Sequence, residues 1–319
     1  MNTIAIIIPI YNSEKTIERC IDSILSQSFD DFKVICINDG STDNSLNILK
    51  KYKDERIIIL SQTNKGPSAA RNAGLDFVFE QNFDYITFID SDDYIDKEYL
   101  NTLLMMLKNN DVDIVCSSFF FSKNNSDKAF NQIKQDTKFT RIEATKTLLE
   151  DRTIQSHSHC KLYKKEMWNK IRFPIDIISM EDQATIYKTF LNAEYIFISN
   201  YAGYHYVQDG ESICRSKITN KKVLDSLNGY LESIKDTKLP KECFLSAIQG
   251  YCNCYLMMYP RFNNKCDKAE KNEFKKIIRY TNKARLIKQF HPITKKEAIK
   301  KITYLIARPF YKILFNLFK

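Results

Sequence analysis

At 319 residues, of which 44% are hydrophobic, the chain is long enough to bury a core and too apolar to be a disordered segment. Its nine cysteines are odd in number and include no Cys-x-x-Cys pair, which excludes a disulfide framework, and no run approaches the ~18 apolar residues of a membrane-spanning helix. The net charge of +9 is unevenly spread: residues 215–319 hold 24 Lys/Arg against 8 Asp/Glu, a net of +16, which leaves 24 against 31, or −7, in residues 1–214. An acidic body with a basic tail implies two tasks, the second at an anionic surface. The free cysteines fit a reducing cytoplasm, and the apolar run 4–10 lacks the basic leader and length of a signal peptide.

The first hundred residues alternate strand and helix. Residues 4–8 form a β-branched run, the mark of a strand buried on both faces. Ser13 is read as the cap of a helix carrying Ile17, Cys20, Ile21, Ile24 and Leu25 at helical spacing. A strand follows at 32–37, a helix at 45–52, a strand at 57–60, a helix at 68–80, a strand at 85–89, a helix at 97–107 and a strand at 113–121. This order predicts an α/β fold, a mostly parallel sheet with helices on both faces, whose ligands bind beyond the carboxyl ends of the strands. The unusual polar residues lie at those ends: Tyr11 and Asn12, Asp39, and Asp90 to Asp93. Further on, helices are expected at 140–150 and 181–192 and strands at 195–199 and 201–207. Beyond 216 helices follow, broken near Pro240, Pro260 and Pro292.

Asp90-Ser91-Asp92 sets two carboxylates at a strand end, where they can share a hard cation such as Mg²⁺ or Mn²⁺ and neutralise a departing diphosphate. A solvated acidic turn has the same composition. Asp39 can accept the ring N–H of a base or merely support the Asp-Gly turn. Tyr11 can stack on a base or pack, and Arg71 can reach base or phosphate.

Four segments taken together resemble the family 2 glycosyltransferases of GT-A fold. They are Ile7-Ile8-Pro9-Ile10-Tyr11-Asn12, Ile37-Asn38-Asp39-Gly40-Ser41-Thr42-Asp43, Asn64-Lys65-Gly66-Pro67-Ser68-Ala69-Ala70-Arg71-Asn72-Ala73-Gly74 and Phe88-Ile89-Asp90-Ser91-Asp92-Asp93. Their order and spacing match the family closely over about the first hundred residues and weakly to about 215. The resemblance implies a GT-A-like Rossmann-type sheet in residues 1–215, with a nucleotide-binding half at 1–110 and an acceptor half at 111–215, followed by a basic helical region at 216–319. It implies that Pro9, Tyr11, Asn12, Asp39 and Arg71 hold the nucleotide, that Asp90 contacts the ribose side, and that Asp92 binds the metal. Such enzymes use activated sugars, most often UDP-linked, and usually invert the anomeric centre. Inversion needs one base, and the resemblance gives that role to Asp182 of Met180-Glu181-Asp182, with Glu181 as the alternative.

Lys161-Leu162-Tyr163-Lys164 resembles a segment near the acceptor site, but His157-Ser158-His159 stands where an aromatic residue is common. Tyr204-His205-Tyr206, followed by Glu211-Ser212-Ile213, resembles an element that closes over the donor. Val207 stands where many relatives carry Arg, and His205 is a metal ligand or a strand residue. On a wheel of ~100° per residue, Lys301, Arg308, Lys312 and Lys319 line one side of 300–319, and Ile306, Phe310, Ile313 and Leu317 the other, with Pro309 as a kink. Such a helix suits an anionic membrane interface, placing the protein peripherally at the inner face of the cell membrane, or it packs its apolar stripe on the body. A lipid-linked glycan is then a natural acceptor. A sugar-1-phosphate nucleotidyltransferase lacks support, because Pro9-Ile10-Tyr11-Asn12-Ser13 replaces its glycine-rich loop. A dehydrogenase would need G-x-G-x-x-G. A nucleic-acid-binding module leaves the carboxylates unexplained, since they repel phosphate.

Overall fold

In a computed structural model the described residues are 3–124, 126–130, 133–150, 153–208, 217–263 and 265–291, with 297, 298, 300, 301, 304 and 305. Glu211-Ser212-Ile213 and most of the basic segment 300–319 lie outside them. The chain opens with β1 (Ile4–Ile10), α1 (Ile17–Leu25), β2 (Phe32–Asp39), α2 (Ser45–Leu49), β3 (Ile57–Gln62), α3 (Pro67–Glu80), β4 (Tyr85–Phe88), β5 (Tyr94–Ile95) and α4 (Tyr99–Asn109). It continues with β6 (Ile114–Lys123), β7 (Ser126–Phe130), β8 (Thr137–Thr140), α5 (Arg141–Leu149), β9 (Lys161–Lys164), α6 (Ile186–Asn192) and β10 (Tyr195–Val207). The C-terminal helices are α7 (Asn220–Lys235), α8 (Lys241–Met258), α9 (Lys268–Lys283) and α10 (Leu286–Gln289).

The sheet runs β3-β2-β1-β4-β9-β6-β10-β5, with β7 paired to β6 and β8 to β10. β1 pairs in parallel with β2 and β4, β2 with β3, and β6 with β10, while β9 lies antiparallel between β4 and β6. β1 shows why this chain makes a sheet covered on both faces. Ile4, Ile6, Ile8 and Ile10 pack with α1 and α4, whereas Ala5 and Ile7 pack with α3 on the other face. Side chains alternate across a strand, so an unbroken apolar run is stable only when helices bury both sides.

The second core extends from Ala5 and Ile7 through Trp168 and Phe190 to Tyr251 and Tyr255 of α8. Among the described residues, no helix is long and apolar enough to cross a membrane.

Several local expectations are corrected. Ser13 does not cap α1, which starts at Ile17 without a side-chain cap. Its Oγ bonds to Ser91 Oγ (2.7 Å) instead, and its carbonyl accepts the amides of Thr16 and Ile17. The helix expected from 181 starts at Ile186, because Met180 adopts a left-handed backbone (φ 71°) and residues 181 and 182 are held by distant partners. The two strands expected at 195–207 are the single β10, whose register against β6 shifts on either side of Ala202. Asp136 causes part of this irregularity by accepting from Ser199 Oγ (2.7 Å) and the Asn200 amide (2.9 Å). The short strands β5, β8 and β9 escape the sequence pattern altogether, since each is defined by a partner far along the chain, whereas β7 folds back on β6 as a hairpin.

Candidate active site

The strand ends β1, β2 and β4 meet along one edge of the sheet, and their loops are tied together. Past β1 the chain turns at Asn12 (φ 50°), whose amide donates to Ser41 Oγ (3.1 Å) and whose Oδ1 accepts the Thr42 amide (2.8 Å). Asp39, only 3% exposed, accepts from Gln62 Nε2 (2.7 Å) and the Lys65 amide (2.9 Å) at Oδ1, and from the Gly66 amide (2.8 Å) at Oδ2. The turn-supporting role is therefore real. A carboxylate has about four acceptor positions, so one on Oδ2 remains for a ring N–H. Gly40 follows at φ 68°, and a Cβ there would lie 2.7 Å from the Asn64 nitrogen, so the close approach of the two loops requires glycine. Tyr11 stands half exposed just past the end of β1.

Arg71 on α3 is buried between two carboxylates. Nη2 donates to Asp90 Oδ1 (3.0 Å) and Nη1 to Glu181 Oε1 (2.9 Å), while the guanidinium lies 5.5 Å from the centre of the Phe173 ring. Burial opposes its charge, but Asp90, Asp182 and Glu181 outweigh that and raise its pKa, so it stays a cation. One fork thus joins the end of β4 to the segment before α6, which are 91 residues apart. Asp92, half-buried, accepts from Arg19 Nη2 through its carbonyl (2.7 Å). Asp93 is fully buried and accepts from Tyr204 Oη (2.6 Å) and the Val207 amide (2.8 Å). Burial, and then the charges of Asp92 and Asp90, raise the Asp93 carboxyl well above its ordinary range.

Glu181 and its neighbour Asp182 both lie against the Arg71 guanidinium. Asp182 Oδ2 accepts the Ser158 amide (3.1 Å), while Oδ1 is buried without a partner, as are Arg71 Nε and Ser158 Oγ. An unpaired buried acceptor costs about 1–3 kcal/mol, so each such atom calls for a partner. Burial and the neighbouring Asp182 push Glu181 up to about 7, against the pull of Arg71. The folded state then holds this proton more tightly than the unfolded chain, so stability falls as pH rises from about 4.5 toward 7. Glu181→Gln removes that penalty while keeping an acceptor for Arg71. Its gain in urea-denaturation stability over the native protein is expected to be larger at pH 8 than at pH 5, by on the order of 2 kcal/mol. An equal effect at both pH values would contradict the raised carboxyl.

The cleft also supplies donors for a cation. Ligand atoms of Asp90, Asp93 and His159 lie within 4.8 Å of one another. Oxygen and imidazole donors of this kind fit a divalent ion. Burial, reinforced by His157, Lys161 and Arg71, lowers the His159 pKa well below its ordinary value and leaves a neutral ring. That ring stacks on Tyr204 at 4.7 Å.

The family model for Glycosyl transferase family 2 matches residues 5–172, which takes in Asp39, the acidic turn and the loop that meets Asp182. The chain is a member of glycosyl transferase family 2. The glycosyltransferase GlyA of Streptococcus pneumoniae is 31% identical over 64% of this chain and 30% of its own length. The poly(ribitol-phosphate) beta-glucosyltransferase of Bacillus spizizenii is 31% identical over 78% of this chain and 39% of its own. The chain thus spans well under half the length of both relatives. The crystal structure of Staphylococcus aureus TarS 1-349 in complex with UDP-GlcNAc superimposes with a TM-score of 0.70 at 22% identity, covering 95% of this chain and 88% of that one, a likeness of fold.

The structure brings Pro9, Tyr11, Asn12, Asp39, Arg71, Asp90, Asp92, Glu181 and Asp182 to the carboxyl ends of β1, β2 and β4 and the turn before α6. It sets His205 differently. That ring stands in β10 between Tyr94 (4.2 Å) and Phe120 (5.0 Å), with Nε2 3.0 Å from Asp96 and Nδ1 3.3 Å from Asp127. The Asp90 cluster contains His159 instead. Sequence reasoning missed Asp93, Tyr204, Ser158 and His159 as parts of the site. The third aspartate of Asp90-Ser91-Asp92-Asp93 and the odd His157-Ser158-His159 were the available signals.

Proposed function

We propose that this glycosyltransferase moves a sugar from a UDP-linked donor to a glycan or lipid-linked acceptor by a single inverting displacement, as a step in polysaccharide biosynthesis. The observation that carries this is the unpartnered, buried Asp182 Oδ1 beside a carboxylate–guanidinium cluster. It is an acceptor waiting for a hydroxyl proton. Pro9, Tyr11, Asn12 and Asp39 hold the nucleotide, Arg71 faces its phosphates, and Asp182 takes the acceptor proton, with Glu181 setting the local charge. Asp90 and Asp92, with His159 beside Asp90, would hold Mn²⁺ or Mg²⁺, which when bound supplies charge for the leaving diphosphate, while both Asp93 oxygens stay engaged with Tyr204 and Val207. Asp93 and Tyr204 keep that turn in shape.

A UDP-GlcNAc complex of the TarS structure supports a UDP-linked donor. The beta linkage named for the Bacillus spizizenii relative supports inversion, because nucleotide sugars of the common hexoses are α-linked. Release of UDP from a panel of UDP-sugars should require Mn²⁺ or Mg²⁺ and should fall at least about 100-fold in Asp92→Asn. Full turnover in chelator, or in that variant, would refute the metal assignment.

Residues 1–215 serve as the transferase and 216–319 as the part that meets an anionic membrane, at the cytoplasmic face. α9 supports this: its buried side carries Phe274, Ile277 and Thr281, and its exposed side Lys268, Lys271, Lys275, Lys276, Arg279 and Lys283. Each cation near an anionic leaflet contributes about 1 kcal/mol. Changing Lys275, Lys276 and Arg279 together to Gln should therefore weaken binding to phosphatidylglycerol vesicles by about 100-fold at low salt. No binding by the native protein would refute the membrane role.

A further inference from the structure

We propose that α7 is the positioning element for the catalytic carboxylates, acting through Lys221, Asp225 and Gly229. These residues stand four apart on one helix face, and each meets an alternate residue of the segment that leads into Glu181. Lys221 Nζ donates to the Asp176 carbonyl (2.8 Å). Asp225 Oδ2 accepts the Ile178 amide (3.2 Å), and Oδ1 pairs with Lys221. Gly229 lies so close to Met180 that a Cβ there would be 2.7 Å from its carbonyl oxygen. Four helical residues advance about 6 Å and two extended residues about 6.6 Å, so helix and segment stay in step through three successive contacts.

The last contact acts next to the chemistry. Met180 has a left-handed backbone, and its carbonyl also accepts the Ala184 amide (3.3 Å) across the turn that carries Glu181 and Asp182. Beyond that turn, Tyr187 Oη donates to Asp236 Oδ2 (2.8 Å) at the end of α7, so the helix grips the segment on both sides of the pair. Asp225 is 2% exposed, and a buried carboxylate is tolerated only where its partners are exact in place. Lys221, half exposed, is held to it rather than free in solvent. The donor-side residues Asp39, Arg71 and Asp90 make none of these contacts with α7.

This proposal rests on Asp182 being the base, and one set of variants separates the two claims. Gly229→Ala, Asp225→Ala and Lys221→Met are made in the full chain, with and without Asp182→Asn, and urea denaturation confirms that each variant is folded. UDP release from UDP-GlcNAc and UDP-glucose with Mn²⁺ gives kcat and donor KM, and calorimetry gives UDP affinity. Displacing a reacting group by an ångström costs up to about 100-fold, so Gly229→Ala and Asp225→Ala should lower kcat by tenfold or more, and Lys221→Met by about threefold. Donor KM and UDP affinity should stay within about threefold, and in the Asp182→Asn background the extra loss should vanish, because groups acting as a unit are not additive. Unchanged kcat beside an inactive Asp182→Asn, a matching loss of UDP affinity, or the same fold-loss in both backgrounds would overturn the positioning role. Normal turnover of Asp182→Asn would overturn the base assignment.

Discussion

Asp182→Asn is expected to lower transfer by about 10²- to 10⁴-fold while leaving UDP affinity within about threefold. Asn keeps an acceptor for the Ser158 amide now bound at Oδ2 (3.1 Å), so the local fold should survive. What it loses is Oδ1, the buried oxygen without a partner, which becomes an amide or an uncharged carbonyl and no longer takes a proton at neutral pH. The measurement is kcat against donor KM, together with UDP calorimetry. A variant that transfers sugar at more than about a tenth of the native rate would shift the base to Glu181.

Arg71→Ala should be the most damaging single change to both stability and activity. It removes the cation that bridges Asp90 and Glu181, leaving these partly buried carboxylates without a counter-charge. Stranding buried partners in this way typically costs about 3–5 kcal/mol. Glu181 softens the loss by binding a proton, since its carboxyl already sits up at about 7 with Arg71 present. The destabilisation should accordingly be smaller at pH 5 than at pH 8, because at the lower pH the proton replaces the lost charge. Activity should fall by at least about 10³-fold at any pH, as the diphosphate then loses its guanidinium partner and the two carboxylates lose their bridge. Arg71→Lys should recover stability in part but not transfer, since an ammonium cannot span two carboxylates with a rigid fork. Urea denaturation at both pH values, alongside UDP release, checks this. A loss of stability independent of pH would show that Glu181 does not take up the proton.

Much of the cleft was legible in residue order. Pro9 to Asn12, Asp39 and Asp90 to Asp93 each follow an apolar strand, and parallel strands bring such ends to one edge whatever the loops between them. Arg71 was legible as a residue of interest but not as a bridge, because the partner that defines it, Glu181, stands 110 residues away. His205 shows the converse. A histidine beside a known motif looks like a ligand, yet stacking between Tyr94 and Phe120 and contacts to Asp96 and Asp127 give it a complete set of neighbours in the strand. His159 stands by Asp90 instead, in a stretch that departs from the family pattern.

The amino-acid sequence alone determined the α/β class, the direction of the principal strands and the edge at which ligands gather. These follow from local apolar periodicity and from residues that break it, which need no knowledge of distant contacts. The tertiary structure alone decided where α6 begins, how β9 is inserted antiparallel between β4 and β6, and which groups surround Asp182. It also decided that α7 runs alongside the segment before the catalytic pair. Those features depend on single close contacts between residues tens to more than a hundred positions apart, such as Gly229 against Met180, and a one-dimensional pattern carries no record of which distant atoms must touch.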